Sequence, residues 1–268
     1  MIQKVKNSIG IFDSGIGGTS IWKEIQQLLP KENTLYLSDS KNAPYGNKTK
    51  EEIIELSIKN TEFLLKNDCK IIVVACNTAT TNAIKVLRQK YTIPFIGIEP
   101  AIKPAALQTK TNIIGILATK GTLNSELFEK TSANLDSKLT IIERVGEGLV
   151  DLIEKGKIYS NEMTSLLEKY LIPMIEANVD CIVLGCTHYP YLKNQIEAIV
   201  GPSVKIIDSG YAVAMQTQNI LKQYNLLNLE NPKAFHKFCI NINKTVLTEI
   251  LEEHVPPGIN MSIEETVF

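Results

Sequence analysis

Seven short apolar runs punctuate the chain: Ser8 to Phe12, Thr34 to Leu37, Lys70 to Ala75, Pro94 to Ile98, Asn112 to Leu117, Asp180 to Leu184 and Val204 to Ile207. They are rich in Ile and Val and nearly continuous rather than alternating, the pattern of strands buried on both faces of a parallel sheet. Between them lie segments of helical period. Thr49 to Lys66 opens Thr-Lys-Glu-Glu, so that Thr49 and Glu52 can satisfy each other's backbone donors as a capping box. It continues with Ile53, Ile54, Ile58, Phe63, Leu64 and Leu65 close to one stripe. Asn161 to Leu171 and Ala212 to Leu221 read likewise. Strand and helix alternate, which predicts an α/β fold with doubly wound, mainly parallel sheets.

The pattern also repeats. IGIFDSG at Ile9 to Gly15 is echoed by IGILATKG at Ile114 to Gly121, an offset of 105 residues (114 − 9). KIIVVACNTA around Cys76 is echoed by DCIVLGCTHY around Cys186, an offset of 110 (186 − 76). PFIGIEP at Pro94 to Pro100 pairs more loosely with VKIIDSG at Val204 to Gly210. Three pairs in one order predict two related α/β halves. Each half ends one strand in a cysteine, and clefts in such sheets open beyond the carboxyl ends of strands. Two halves facing each other would therefore present Cys76 and Cys186 to one cleft.

Composition narrows the class. At 268 residues the chain suits one large α/β domain or two of ordinary size. Its 28 basic and 29 acidic side chains leave a net charge of −1, without the basic footprint of a nucleic-acid or anionic-membrane binder. The longest strongly apolar run, Ile71 to Cys76, is far short of the roughly 20 residues that cross a bilayer. Asp13 interrupts the N-terminal apolar stretch before a signal-peptide core could form, so a soluble cytoplasmic protein is expected. Few residues precede the first strand, so no regulatory N-terminal extension is expected. The five cysteines (69, 76, 181, 186 and 239) are odd in number and form no Cys-x-x-Cys pair. That excludes a disulfide framework, a zinc ribbon and a thioredoxin-type motif as expectations.

Cys69, Cys181 and Cys239 read as small core hydrophobes. Cys76 and Cys186 differ, because each ends a buried-strand pattern and is followed by hydrogen-bonding residues, Asn77 and Thr78 or Thr187 and His188. Such groups, and a following helix N-terminus, can orient a substrate and favour the thiolate. Asp13-Ser14-Gly15-Ile16-Gly17-Gly18 lacks the third glycine of a dinucleotide loop and the Gly-Lys-Ser/Thr of a phosphate loop. It reads as a tight turn at a helix start whose amides receive an anion such as a carboxylate, with Asp13 a candidate acid or base. Pro44-Tyr45-Gly46 follows Asp39 as a turn with an aromatic anchor. His236 and His254 lie in a polar C-terminal region and read as surface residues. A zinc site on Cys76, Cys186 and His188 is supported neither by spacing nor by a fourth ligand.

IFDSGIGG at Ile11 to Gly18, APYG at Ala43 to Gly46, ACNTAT at Ala75 to Thr80, LATKGT at Leu117 to Thr122 and LGCTHYP at Leu184 to Pro190 resemble, in order, the signature blocks of the glutamate racemases. These belong to the cofactor-independent aspartate/glutamate racemase superfamily. The resemblance implies that Cys76 and Cys186 are the two catalytic cysteines, on opposite faces of the substrate Cα. It implies that Asp13, Ser14, Pro44, Tyr45, Gly46, Asn77, Thr78, Thr187 and His188 bind substrate. Asp13 and His188 resemble the family's auxiliary acid/base partners. Leu149-Val150-Asp151-Leu152-Ile153-Glu154 fits a stretch closed by a further auxiliary glutamate. Val145-Gly146-Glu147-Gly148 departs from the family's Cys-Pro-containing segment there, and Glu147 competes with Glu154. The implied fold is two similar domains, 1–98 plus 210–268 and 99–209, with the active site in the cleft between them. The implied activity is two-base racemisation of glutamate that supplies D-glutamate for peptidoglycan, with no cofactor, no metal, no nucleic-acid or membrane partner, and a homodimeric state. Aspartate or another amino acid as substrate, a hydrolase with Cys186 as nucleophile and His188 as base, and a two-lobed amino-acid binding protein are the competing readings.

Overall fold

Residues 2–133 and 138–268 are described by the computed structural model, and among them ten strands form two sheets. In chain order the strands are β1 (Ile9–Asp13), β2 (Thr34–Ser38), β3 (Ile71–Val74), β4 (Phe95–Gly97), β5 (Ile113–Ala118), β6 (Thr140–Val145), β7 (Cys181–Gly185), β8 (Lys205–Ile207), β9 (His236–Ile240) and β10 (Met261–Glu265). The larger sheet runs β10-β9-β2-β1-β3-β4 and the smaller β6-β5-β7-β8. Every pairing among them is parallel. Helices connect successive strands, so the chain is an α/β protein of two similar doubly wound units. No helix among the described residues is long and apolar enough to cross a membrane.

The strand order β2-β1-β3-β4 recurs as β6-β5-β7-β8. The echoed sequences occupy equivalent places: Ile9 to Gly15 and Ile114 to Gly121 form β1 and β5 with their exits, and the two cysteine segments form β3 and β7. Of the seven strands that carry continuous apolar runs, β1, β2, β3 and β7 are buried along their whole length, β4 and β5 at all but one residue, and the edge strand β8 is only partly covered. Full burial is what a strand covered by helices on both faces requires.

Seven strands fall within one residue of the apolar runs; β6, β9 and β10 carry no such run. β6 and β10 are sheet edges and half exposed, so charged residues such as Glu143, Arg144, Glu264 and Glu265 cost them little. β9 lies inside its sheet and corrects the reading of His236 as a surface residue. His236 is buried, its Nδ1 is 2.9 Å from Thr34 Oγ1, and Thr34 also receives Trp22 Nε1 at 2.8 Å. Burial pushes the imidazole down to about 4, so it behaves as a neutral core group. His254 is likewise only partly exposed, with its ring 4.9 Å from that of Tyr191. Cys69, Cys181 and Cys239 are buried among apolar neighbours, as expected.

The helix Lys50–Lys66 begins with the predicted capping box. Thr49 Oγ1 accepts the Glu52 amide and Glu52 Oε2 accepts the Thr49 amide.

Candidate active site

The carboxyl ends of β1, β3, β5 and β7 meet between the two sheets, where strand order reverses on either side of β1 and of β5. One cavity there is lined by Ser14, Pro44, Tyr45, Gly46, Cys76, Asn77, Thr78, Thr119, Val150, Cys186, Thr187 and His188. It encloses about 10 Å³, less than an amino acid needs, so the two halves are closed upon it. Ten of its linings are candidate site residues of the sequence; Thr119 and Val150 lie within the quoted motifs but carry no role there. Thr119 had a signal, because the internal repeat superposes Ser14 on Thr119 just as it superposes Cys76 on Cys186. Both members of each pair reach the cavity.

The two sulfurs arrive by different routes. Cys76 directly precedes the helix Asn77–Lys90 and caps it, with its sulfur accepting the Ala79 amide at 3.4 Å and lying 3.6 Å from Ser14 Oγ. The helix N-terminus therefore faces this sulfur, as expected. Burial nevertheless pushes its pKa well up, reinforced by nearby Asp13. Cys186 differs from the expectation, since a one-turn 3₁₀ segment, Tyr189–Leu192, follows it rather than a helix N-terminus. Its partner is instead His188, whose Nδ1 is 3.7 Å from the sulfur. Burial lowers the pKa of His188, but its contacts with Cys186 and Glu154 outweigh burial and raise it well above the ordinary imidazole value.

Behind this wall sit two buried carboxylates. Asp13 accepts the Gly15 amide at 3.2 Å and the Gly18 amide at 2.9 Å, and Thr187 Oγ1 donates to it from the other half at 3.3 Å. Burial lifts Asp13 to about 6, against the lowering effect of His188 and these amides. Glu154 Oε1 is 2.6 Å from His188 Nε2 and accepts the Ile16 amide at 2.7 Å. Glu154 Oε2 accepts Ser40 Oγ at 2.7 Å. The turn at Gly15 to Gly18 thus does receive carboxylates, but they are the protein's own. Glu147 stands elsewhere, exposed in an adjoining outer cleft of about 200 Å³ that shares Pro44, Gly46, Thr119 and Val150 with the inner cavity. Ser40 carried no sequence signal, since a lone serine after a strand has none.

Tyr45 is anchored from behind. Its hydroxyl donates to Asp39 Oδ2 at 2.5 Å and accepts Asn60 Nδ2 at 3.1 Å. Asn77 is the exception to this satisfaction: its side chain is buried, yet neither amide atom has a hydrogen-bond partner. A buried amide with open donors and acceptor beside a cavity is equipped to hold a polar ligand.

Residues 9–217 match the family model of the Asp/Glu/hydantoin racemases. A glutamate racemase of Herpetosiphon aurantiacus is 44% identical over 220 residues, 82% of this chain and 87% of that one. One from Ralstonia pickettii is 45% identical over 214 residues, 80% of this chain and 76% of that one. Among solved structures, a Bacillus anthracis glutamate racemase superposes with a TM-score of 0.86 at 32% identity, covering 98% of both chains. An Escherichia coli glutamate racemase, in complex with L-glutamate and the activator UDP-MurNAc-Ala, does so at 0.84 and 28%, covering 98% of this chain and 100% of that one.

Proposed function

Since this chain belongs to the Asp/Glu/hydantoin racemase family, we propose that it interconverts L- and D-glutamate by a two-base mechanism that needs no cofactor. As a racemase it is an isomerase. The observation that carries the mechanism is the presence of two cysteines, one from each sheet unit, on one buried cavity beside the unpartnered Asn77 amide.

The enantiomers have equal free energy in water, so the enzyme has only to lower the barrier to removing a weakly acidic Cα proton. In our reading Cys186, as thiolate, takes that proton from L-glutamate while the Cys76 thiol gives one to the opposite face; D-glutamate reverses the roles. Which enantiomer meets which sulfur follows the resemblance to the glutamate racemases; the two sulfurs themselves differ in their surroundings. Cys76 is held as a thiol by burial, whereas Cys186 has an imidazole beside it to take its proton. Asp13, near Cys76, and the His188–Glu154 pair, at Cys186, serve as the auxiliary acid/base groups on the two sides. Of the two glutamates, Glu154 takes this role because it reaches His188. Ser14, Asn77, Thr78 and Thr187 hold the amino and α-carboxylate groups. Pro44, Tyr45 and Gly46 close over the substrate. Buried donors at the carboxylate, where charge develops, are worth more than they would be in water.

We assign domains 1–98 plus 210–268 and 99–209 to the two sheet units. We place the enzyme in the cytoplasm as a homodimer that supplies D-glutamate for peptidoglycan. The test is L-to-D conversion in deuterium oxide, where the product should carry deuterium at Cα. Cys76→Ser and Cys186→Ser should each lower turnover by roughly 10²–10⁴-fold. Product without Cα deuterium, or full activity in either variant, overturns the mechanism. Turnover of aspartate in preference to glutamate overturns the substrate.

A further inference from the structure

Glu154 touches both halves of the molecule. It belongs to the helix Leu149–Glu154 in the unit of the smaller sheet, yet two of its three hydrogen-bond partners, the Ile16 amide and Ser40 Oγ, come from the unit of the larger one. Ser40 opens the one-turn segment Ser40–Asn42 just after β2, and its oxygen is 3.0 Å from Ser38 Oγ. An unbroken polar row therefore runs Ser38, Ser40, Glu154, His188, Cys186, from the end of β2 to the cysteine after β7.

We propose that Ser40 is a positioning residue for the reaction: donated across the cleft to Glu154 Oε2, its hydroxyl holds the carboxylate against His188 and so governs how readily His188 exchanges a proton with Cys186. The proposal deepens the racemase reading and rests on it. A hydroxyl donating to a carboxylate makes a charge-assisted hydrogen bond, roughly twice as strong as a neutral one, and successive bonds in a row polarise one another. Without the hydroxyl, Glu154 is no longer held against His188, the contact that raises the proton affinity of the imidazole weakens, and His188 gives up its proton at lower pH. The other titratable groups facing the pair are Asp13 at the end of β1, Tyr36 on β2 and Cys186 itself. All three remain when Ser40 is changed. Because Ser40 and Glu154 belong to different units, the bond exists only while those units are together. Closing the cleft and setting the proton affinity of His188 are then one event.

The experiment compares wild type, Ser40→Ala, Ser40→Thr and Glu154→Gln with glutamate across the pH range. Ser40→Ala should lose about tenfold in kcat, the value of one donor to a charged group, while KM stays within about twofold. The limb of its kcat–pH profile controlled by the His188–Glu154 pair should move about half a unit or more to lower pH. Ser40→Thr keeps the hydroxyl and should restore both. Ser40 is partly exposed, and equal melting temperatures would show that the loss is not unfolding. A Ser40→Ala profile superimposable on wild type, with Glu154→Gln still impaired, overturns the role of Ser40 alone. An unimpaired Glu154→Gln overturns the relay. Wild type without glutamate turnover overturns the racemase reading and this inference together.

Discussion

Cys76 and Cys186 share one cavity but face different protonation partners, and beside Cys76 stands the buried carboxyl of Asp13. Burial brings it to about 6. Above that pH it is a carboxylate that accepts the Gly15 and Gly18 amides and Thr187 as charge-assisted bonds; below it one oxygen carries a proton and these bonds weaken. An acid whose proton affinity is raised is lost as a base when the pH falls through its folded value. kcat/KM, which reports the free enzyme, should therefore drop as pH decreases through about 6, and Asp13→Asn should flatten that limb while lowering the plateau. A steady-state profile from roughly pH 5 to 8 reads this directly. At this scale the sequence was most legible where a residue type and its place on a strand coincided. Cysteines at strand exits followed by Asn-Thr or Thr-His stood apart from Cys69 and Cys239. His236 misled because its strand was not seen. Within β9 the alternation of His236, Phe238 and Ile240 makes the imidazole a core residue satisfied by Thr34.

The glycine turn after β1 is the element on which the two carboxylates depend. A Cβ at Gly15 would stand 1.9 Å from Glu154 Oε1, and one at Gly17 would stand 2.2 Å from His188 Nδ1. Neither position requires a left-handed backbone; both require that nothing stand between the turn and the opposite half. Gly15→Ala and Gly17→Ala should therefore displace Glu154 and His188, with losses in kcat of about a hundredfold, the scale of an ångström misplacement at a reacting centre. Circular dichroism melts alongside the racemisation assay would separate displacement from unfolding. The turn itself was visible in sequence as Gly-x-Gly-Gly at a helix start. Its occupant was not, because Glu154 lies 138 residues away from Ile16 and nothing local links them. The missing strands have a similar explanation. β6 and β10 are edges whose outer faces meet solvent, so they lack the continuous apolar run that marks β1, β3 or β7.

The larger sheet takes strands from both ends of the chain, and a buried ion pair ties those ends together. Lys70 Nζ, just before β3, contacts Glu32 Oε2 at 2.5 Å and also donates to the carbonyls of Val5 and Leu226. Glu32 Oε1 accepts the Asn228 amide at 2.8 Å. Burial raises the proton affinity of Glu32 and lowers that of Lys70, and their mutual contact opposes both shifts. Removing one partner strands the other charge, so Lys70→Met should lower unfolding stability by about 3 kcal/mol, read from denaturant midpoints. Adding Glu32→Leu should recover part of that loss, because no unpaired ion then remains. The pairing of two similar units was legible in the sequence repeat, since β-strand order and cysteine position recur together. How tightly the units close was not, because closure is a property of side chains meeting across the cleft.

That closure also shelters the sulfurs. Cys76 and Cys186 are both buried, and with about 10 Å³ in the cavity between the two halves there is little room for an alkylating electrophile beside them. Both thiols come within reach of such agents only when the halves part, which is also when the amino acid enters or leaves. Damage and turnover then draw on the same opening motion. A variant whose halves part more readily should therefore lose activity faster under oxidative stress than wild type.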